Sequence, residues 1–424
     1  MIPGFWGWRA AAAGGIGGSR GIDWAMPGFA TCSTQALVPE VAASQLADAV
    51  EAQLGGAERV GGGFLLATAA AGDEAVQVAR QLVERWPGAD LVGTSFEGIL
   101  SEGRLWRDEP ALALLAWAEG PEVPLPFVFE EGAVEAESLA DAVLDLTGQE
   151  RLRADDLLLL FPDALGAQGI EALTRALPAL LGLGSLAGAA ASGVASGPAQ
   201  AWQADEARPG GLAGLLVLGG SVPRPSRVRS AGASRVASPW LEITSCRSCW
   251  IDGLDGEPPL DWVRRQLGLD HRAPLEPHLD QLLVRIRRSR RVGEPASESD
   301  YDERFLVGLD DRRGAFMVPG RFGTGDHLAL ALPDAALARD ALRSSIDALP
   351  GSPLLLQFTC RARDAALHGD AELESAIVAH HVADRCILGT VSPYQLGPGA
   401  GGQSGSRMLV YATVLAALGS VRST

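Results

Sequence analysis

The sequence contains no lysine, and this absence excludes several classes of protein. Its 35 basic residues are therefore all arginines, and they face 52 aspartates and glutamates, which gives a formal charge of −17. Without lysine the chain has no residue for a Schiff base, for a P-loop or for a protein-kinase site. The acidic balance also argues against a protein that binds nucleic acid or an anionic membrane over a broad surface.

Cysteine is scarce as well. Five cysteines in 424 residues, an odd and scattered number, do not make a disulfide framework and favour a reducing compartment. Cys246 and Cys249 form one close pair without a histidine at zinc-ligand spacing, so we interpret them as ordinary strand residues. The neighbouring His380 and His381 point about 100° apart on a helix and share no face. The sequence therefore predicts no metal site and no cofactor.

Long apolar segments of the membrane type are missing too. The first thirty residues lack an uninterrupted apolar core with a cleavage site, so we expect no signal peptide. Residues 176–204 carry no charge, but a proline, several glycines and several serines interrupt them. These observations predict a soluble, cytoplasmic protein that has no membrane or nucleic-acid partner. They leave its oligomeric state open.

A strand–helix–strand unit recurs three times in the chain and predicts an α/β fold of layered sheets with helices packed on them. Apolar runs typical of buried strands open the copies at residues 64–68, 157–161 and 354–359. Helical patterns follow at about 73–85, 166–181 and 371–383. Each copy then closes on glycine and a small hydroxyl residue, at 93–95, 184–185 and 389–390.

The length predicts two or three packed domains at about 150 residues each. A proline-rich segment at 222–226, with the mixed segment after it, marks the best boundary. We therefore predict an N-terminal arm (1–29), a first domain (30–225), a linker (226–239), a second domain (240–405) and a C-terminal strand or helix with a tail (406–424).

Candidate ligand-binding residues lie where the repeated strands end, because ligands of α/β sheets bind at the carboxyl ends of strands. The hydroxyl residues there are Thr94, Ser95, Ser185 and Thr390. They suit hydrogen bonds to a polar ligand, and they suit turn formation or helix capping equally well.

The strand that begins at residue 354 is followed by cysteine and two arginines. Arg363 has the chemistry to clamp a carboxylate or phosphate, and the alternative is a structural ion pair; Arg361 is a weaker candidate for the same role. Cys360 would be a nucleophile if a cation lowered its pKa, although a buried strand cysteine is usually inert. For Glu374, on the following helix, the simplest interpretation is a solvent-facing carboxylate. No His-Glu-x-x-His motif occurs in the sequence.

Four segments, taken in order, resemble the FIST family of sensory proteins. Residues 91–99 are similar to that family's hydrophobic-Gly-Cys-Ser/Thr-x-Gly-Glu segment, and 241–261 resemble the opening of its C-terminal domain. Residues 354–364 resemble its strand ending in Cys-x-Gly-Arg, with Cys360 and Arg363 at the matching positions. Residues 386–398 resemble its closing segment. The resemblance covers about residues 30–405 and implies a FIST N domain followed by a FIST C domain.

The chain departs from the family pattern at both Gly-Glu positions. Tyr394 and Gln395 replace the closing Gly-Glu, Ile99 follows Gly98 in the first domain, and Thr94 replaces the cysteine. A ligand amine would therefore find different partners here, and Tyr394 and Gln395 become site candidates.

The resemblance implies a non-catalytic protein that binds a small ligand, an amino acid or organic acid, and signals through a partner protein. Two alternatives remain open: an enzyme that uses Cys360 or a strand-end serine or threonine as nucleophile, and a scaffold protein that has lost ligand binding. We favour the first interpretation.

Overall fold

The structure is a computed structural model, and it describes residues 28–101, 103–120, 123–129, 135–184, 186–204, 206–219, 227–288, 301–320, 322–382, 385–399 and 405–419. The described residues form eight α-helices: α1 (Pro39–Leu54), α2 (Gly72–Arg85), α3 (Ala136–Thr147), α4 (Ala167–Leu181), α5 (Pro259–Gln266), α6 (Ala335–Asp347), α7 (Ala365–His368) and α8 (Leu373–His381). The predicted helices at 73–85, 166–181 and 371–383 correspond to α2, α4 and α8 to within two residues at each end.

Most of the chain between the helices is extended. The strands of the first half are β1 (Phe29–Thr34), β2 (Val60–Thr68), β3 (Asp90–Phe96), β4 (Gly98–Ser101), β5 (Arg104–Arg107), β6 (Leu112–Ala118), β7 (Leu125–Phe129), β8 (Leu157–Phe161), β9 (Leu186–Ala189), β10 (Gln200–Gln203), β11 (Glu206–Pro209) and β12 (Leu212–Val217). Those of the second half are β13 (Val228–Gly232), β14 (Ser234–Val236), β15 (Leu241–Arg247), β16 (Trp250–Leu254), β17 (Leu283–Arg287), β18 (Asp302–Phe305), β19 (Gly308–Asp310), β20 (Ala315–Met317), β21 (His327–Pro333), β22 (Leu354–Cys360), β23 (Cys386–Ser392), β24 (Gln395–Pro398), β25 (Ser406–Leu409) and β26 (Ala412–Leu418).

Three six-stranded sheets repeat one topology, which confirms the predicted α/β class. Their strand orders are β1-β6-β2-β3-β10-β11, β7-β12-β8-β9-β24-β25 and β13-β26-β22-β23-β4-β5. In each sheet the two central strands, β2/β3, β8/β9 or β22/β23, run parallel, and every other neighbouring pair is antiparallel. These parallel pairs are the predicted strand–helix–strand units.

The three units exchange their hairpins in a closed circle. Hairpin β4–β5 follows β3 in the chain but joins the third sheet, β10–β11 follows β9 but joins the first, and β24–β25 follows β23 but joins the second. Each sheet is therefore completed by another unit, and the N-terminal and C-terminal halves are interlocked.

A shared core lies between the three sheets, and helices cover their outer faces. The inner core includes Phe96, Phe161 and Phe358, one aromatic residue from each sheet. Phe161 lies 5.7 Å from each of the other two rings, measured between ring centroids. Helices α1 and α2 cover the first sheet, α3 and α4 the second, and α6 and α8 the third. The alternate residues of each strand therefore serve two different cores.

One glycine in each parallel pair allows the close approach of its neighbouring strand. A Cβ on Gly93, Gly188 or Gly389 would lie 2.0, 1.8 or 2.2 Å from the carbonyl oxygen of Leu65, Leu160 or Gln357, respectively. The predicted glycine of the second copy was wrong: Gly188, within β9, holds this position, and Gly184 precedes the strand. Gly184 and Gly188 both follow segments that contain leucine, so the sequence pattern alone does not show which of them lies at the close approach of the two strands.

A fourth sheet, of eight strands, is inserted in the third unit between β13 and β22. Its order is β18-β17-β21-β15-β16-β20-β19, with β14 paired to β21, and it has its own apolar core. Of the two cysteines interpreted as strand residues, Cys246 lies in β15, whereas Cys249 lies in the turn between β15 and β16, where Ser248 takes a left-handed φ of 54°.

The two predicted segments that flank the second domain both contain strands. The predicted linker at 226–239 contains β13 and β14, and the segment at 406–424, predicted as a strand or helix with a tail, contains β25 and β26, the second of which pairs with β22. The proline-rich boundary at 222–226 and residues 1–27 of the N-terminal arm lie outside the described residues. No helix in the described part of the chain is long and apolar enough to cross a membrane.

Candidate functional site

A cleft opens at the carboxyl end of β22. It is open to solvent at its mouth and is lined by thirteen residues. One wall comes from the exchanged hairpin β4–β5, through Leu100, Leu105 and Arg107. The floor and the other wall come from the third unit, including three predicted site residues, Cys360, Arg361 and Arg363.

The floor of the cleft belongs to a polar layer between the third sheet and α8. Gln357, Thr359 and Thr413 are 1%, 5% and 0% exposed, and they lie side by side because Thr359 pairs with Thr413 across β22 and β26. The amide Nε2 of Gln357 donates to Thr359 Oγ1 at 3.0 Å, whereas its Oε1 has no protein partner.

The first sheet carries apolar residues at the equivalent positions. The glycine registers align Gln357 with Leu65, and the following pairs align Thr359 with Ala67 and Thr413 with Leu112. All three residues of the first sheet are buried in the apolar core beneath α1 and α2. The polar residues at this layer are therefore specific to the third unit, and the strand arrangement that it has in common with the first unit does not require them.

A buried ion pair closes the layer on the helix side. Arg363 is 2% exposed, and its Nε donates to Glu374 Oε1 at 2.9 Å; its Nη1 donates to the carbonyl oxygens of Ala231 and Tyr411, each at 3.2 Å. The predicted clamp is thus engaged within the protein, as the structural-ion-pair alternative describes. Glu374 is 3% exposed, so its interpretation as a solvent-facing carboxylate was wrong.

Glu374 gathers further partners, which keep it charged. His368 Nε2 lies 2.8 Å from Oε1, and Thr413 Oγ1 donates to Oε2 at 2.7 Å. Burial alone would raise the pKa of Glu374, but Arg363, His368 and Thr413 together outweigh it, and the pKa lies below its ordinary value. The layer therefore holds a carboxylate whose oxygens are already occupied.

Two ion pairs, one exposed and one half-buried, flank the mouth of the cleft. Arg361 Nη1 lies 2.8 Å from Glu97 Oε1, and Arg107 Nη1 lies 3.1 Å from Asp364 Oδ2. The side chains of Arg361 and Arg107 are 55% and 29% exposed. Each pair joins the third unit to the segment that contains β3, β4 and β5.

The Cys360 thiol is buried beside the cleft and is 1% exposed. Burial raises its pKa, against the smaller lowering effects of backbone hydrogen bonds from Ala362 and Tyr411 and of the nearby arginines. A thiol with a raised pKa is a poor nucleophile at neutral pH.

The remaining predicted residues lie away from the cleft. Thr94 Oγ1 donates to the Gln200 carbonyl at 3.0 Å, and Ser95 Oγ donates to the Ser192 carbonyl at 2.8 Å, so both hydroxyls join β3 to the segment around β10. Ser185 lies outside the described residues.

The last three predicted residues, in and after β23, are also buried outside the cleft. Thr390 is 0% exposed, and its hydroxyl has no protein partner. Tyr394 donates to the Asp163 carbonyl at 3.4 Å, and burial raises its pKa. Gln395 Nε2 donates to the Ser392 carbonyl at 3.2 Å.

Sequence reasoning missed Arg107, Gln357 and Thr413. Gln357 had a usable signal, because it is the one amide in an otherwise apolar strand run whose two sister copies have leucine there. The sequence gives no signal for Arg107, because local patterns do not show that its hairpin joins another sheet.

Within the described residues there is no group of three or more histidine, cysteine, aspartate or glutamate side chains that could hold a metal ion.

Comparison with known proteins identifies part of the chain. Residues 61–257 match the FIST N domain family, from within β2 to just beyond β16. The match stops there, so the resemblance of the later residues to a FIST C domain stays a prediction. No curated protein matches the chain. The crystal structure of cyanuric acid hydrolase from A. caulinodans aligns with 10% identity and a TM-score of 0.35, over 92% of this chain and 99% of that one.

Proposed function

We propose that this chain, which belongs to the FIST family through its N domain at residues 61–257, is a cytoplasmic sensory protein that binds a small polar acid in the cleft beside β22. An amino acid or an organic acid is the ligand class, and a partner protein receives the signal. The observation that carries this proposal is the polar layer at the floor of the cleft.

The polar layer costs stability, which favours a functional reason for it. A buried amide oxygen without a partner is unfavourable by about 1–3 kcal/mol. The first sheet shows that leucine and alanine fill the same layer on the same backbone. A ligand that pairs with the floor of the cleft would recover this free energy on binding.

The arginines at the mouth suit a carboxylate. Exposed ion pairs contribute about 0–1 kcal/mol, so Arg361 can exchange Glu97 for a ligand carboxylate at little cost, and the half-buried Arg107 is a second cation at the same mouth. Arg363 is unsuitable, because removing its buried partner would leave a charge uncompensated. The role that the sequence assigns to Arg363 therefore passes to Arg361 and Arg107.

The position of the cleft also suits signalling. Its two walls come from different parts of the chain, the exchanged hairpin β4–β5 and the segment between β22 and α8. A ligand that touches both walls would change how tightly the two are held together. Such a difference between bound and free states is what a partner protein can recognise.

The enzyme alternative has less support. The raised pKa and burial of Cys360 oppose nucleophilic attack, and the hydroxyls of Thr94 and Ser95 are engaged with backbone carbonyls. A scaffold protein without a ligand remains as the outcome that a negative binding screen would favour.

A thermal-shift screen with amino acids and organic acids tests the proposal. We expect saturable stabilisation by at least one acid, worth about 2.7 kcal/mol at a hundred times its Kd. Arg361→Gln should weaken that acid about tenfold, because a charge-assisted hydrogen bond is lost. Arg343→Gln, which removes an exposed arginine on α6, is the matched control and should bind normally. The absence of any stabilising acid, or full binding by Arg361→Gln, would contradict the proposal.

A further inference from the structure

We infer that Gln357 selects the ligand, and that the ligand is an acid carrying an N–H or O–H donor near its carboxylate, as amino and hydroxy acids do. The inference rests on the proposed function and narrows its ligand class. It starts from one atom, the buried Oε1 of Gln357, which has no hydrogen-bond partner in the protein although the residue lines the cleft.

The hydrogen-bond chain beside Gln357 fixes which amide atom remains free. Thr413 has a single hydroxyl hydrogen and donates it to Glu374 Oε2 at 2.7 Å. The 3.3 Å contact between the Thr413 and Thr359 hydroxyls therefore needs the hydrogen of Thr359. Thr359 then has only a lone pair to offer to Gln357, which must approach it with Nε2.

This arrangement leaves an acceptor, and not a donor, for the ligand. The carboxylate of Glu374 cannot substitute for it, because Arg363, His368 and Thr413 already occupy both oxygens. A ligand amine or hydroxyl would pair with Gln357 Oε1, while its carboxylate faces the arginines at the mouth. A keto acid or an unsubstituted acid brings no donor to that oxygen.

The residues at the same position in the other two units show that an amide is found here only in the third unit. Leu65 and Leu160 hold the position of Gln357 in the first and second parallel pairs, and both are fully buried. An apolar residue therefore fits this backbone, and the amide is not required for folding. The variant Gln357→Leu therefore gives the third unit the leucine that the first and second units have at this position.

Four three-carbon acids test the inference: propionate, pyruvate, lactate and alanine share a carboxylate and differ at the second carbon. Their affinities are measured by calorimetric titration against the wild type and Gln357→Leu. We expect lactate and alanine to bind the wild type at least ten times more tightly than propionate and pyruvate, because the latter leave a buried acceptor unpaired. In Gln357→Leu this preference should fall below threefold, with propionate still bound.

Each other outcome has a definite meaning. Equal affinities of the four acids in the wild type, or a preference that survives in Gln357→Leu, would overturn the inference and leave the proposed function standing. Binding of none of the four, together with no hit in the wider acid screen, would overturn both. Should Gln357→Leu fail to fold, Gln357→Met keeps an unbranched side chain without the amide and takes its place.

Discussion

The outer faces of the first and third sheets have the same strand arrangement, but one face is apolar and the other is polar. Beneath α1 and α2, Leu65, Ala67 and Leu112 belong to an apolar core, whereas Gln357, Thr359 and Thr413 lie at the equivalent places beside α8. The parallel pair, the close glycine and the added hairpin are the same in both. The difference teaches that the repeat provides the frame, and that substitutions in one unit provide a site.

The largest expected effect comes from breaking the ion pair of the third sheet. Arg363→Ala or Glu374→Ala should each lower the free energy of unfolding by about 3–5 kcal/mol, because the partner is left as an uncompensated buried charge. The double variant Arg363→Met with Glu374→Leu, which imitates the apolar layer of the first sheet, should lose less than either single variant. Urea denaturation measures all three. Single variants that lose under 1 kcal/mol would show that the pair is not buried as described.

An exchange between the two sheets should have unequal effects. Leu65→Gln places an amide in an apolar layer and should cost about 2–4 kcal/mol. Gln357→Leu removes an unpaired buried oxygen and should stay within about 1 kcal/mol of the wild type or exceed it. Equal losses in the two variants, again from urea denaturation, would mean that the polar layer is as well satisfied as the apolar one.

The pH dependence of stability should separate the third sheet from the first. The pKa of Glu374 is lower in the folded protein than its ordinary value of 4.5. Below that value the unfolded chain binds a proton that the folded protein does not, so the contribution of Glu374 is present above about pH 5 and is lost as the pH falls through 4.5 and below. Glu374→Gln should therefore flatten stability against pH between pH 5 and 3, by up to about 1.4 kcal/mol per pH unit. Glu137→Gln, an exposed change on α3, is the control and should leave the slope unchanged.

The smallest effect concerns the end of β22, where Cys360 stands opposite Ser392 as Thr68 stands opposite Phe96 in the first sheet. The raised pKa and burial of Cys360 predict that a thiol reagent at pH 7.5 labels it no faster than the protein unfolds. Mass spectrometry of the labelled peptides measures the rate, with the partly exposed Cys249 as the reference. Rapid labelling of Cys360 would revive the enzyme alternative.

Local patterns predict much of the repeat. The apolar run at 157–161 coincides with β8, because a strand that is buried on both faces has a continuous run of apolar residues. The predicted helix at 73–85 differs from α2 by one residue, because a helix that is buried on one face has apolar residues at a regular helical spacing. The exchange of hairpins could not be predicted, since nothing within residues 98–107 specifies which sheet edge they join. Glu374 misled for a related reason: a carboxylate on a short helix has the pattern of a solvated residue, and its partners Arg363 and Thr413 come from other elements.

Filling the cleft tests the central claim most directly. Ala371 lines the cleft, whereas Ala376 is exposed on α8 outside it, so Ala371→Trp and Ala376→Trp place the same side chain in and beyond the site. Calorimetric titration with the acid that stabilises the wild type should show normal binding to Ala376→Trp and at least a tenfold loss in Ala371→Trp. Equal binding by both variants would contradict the account, because the acid would then bind somewhere other than this cleft.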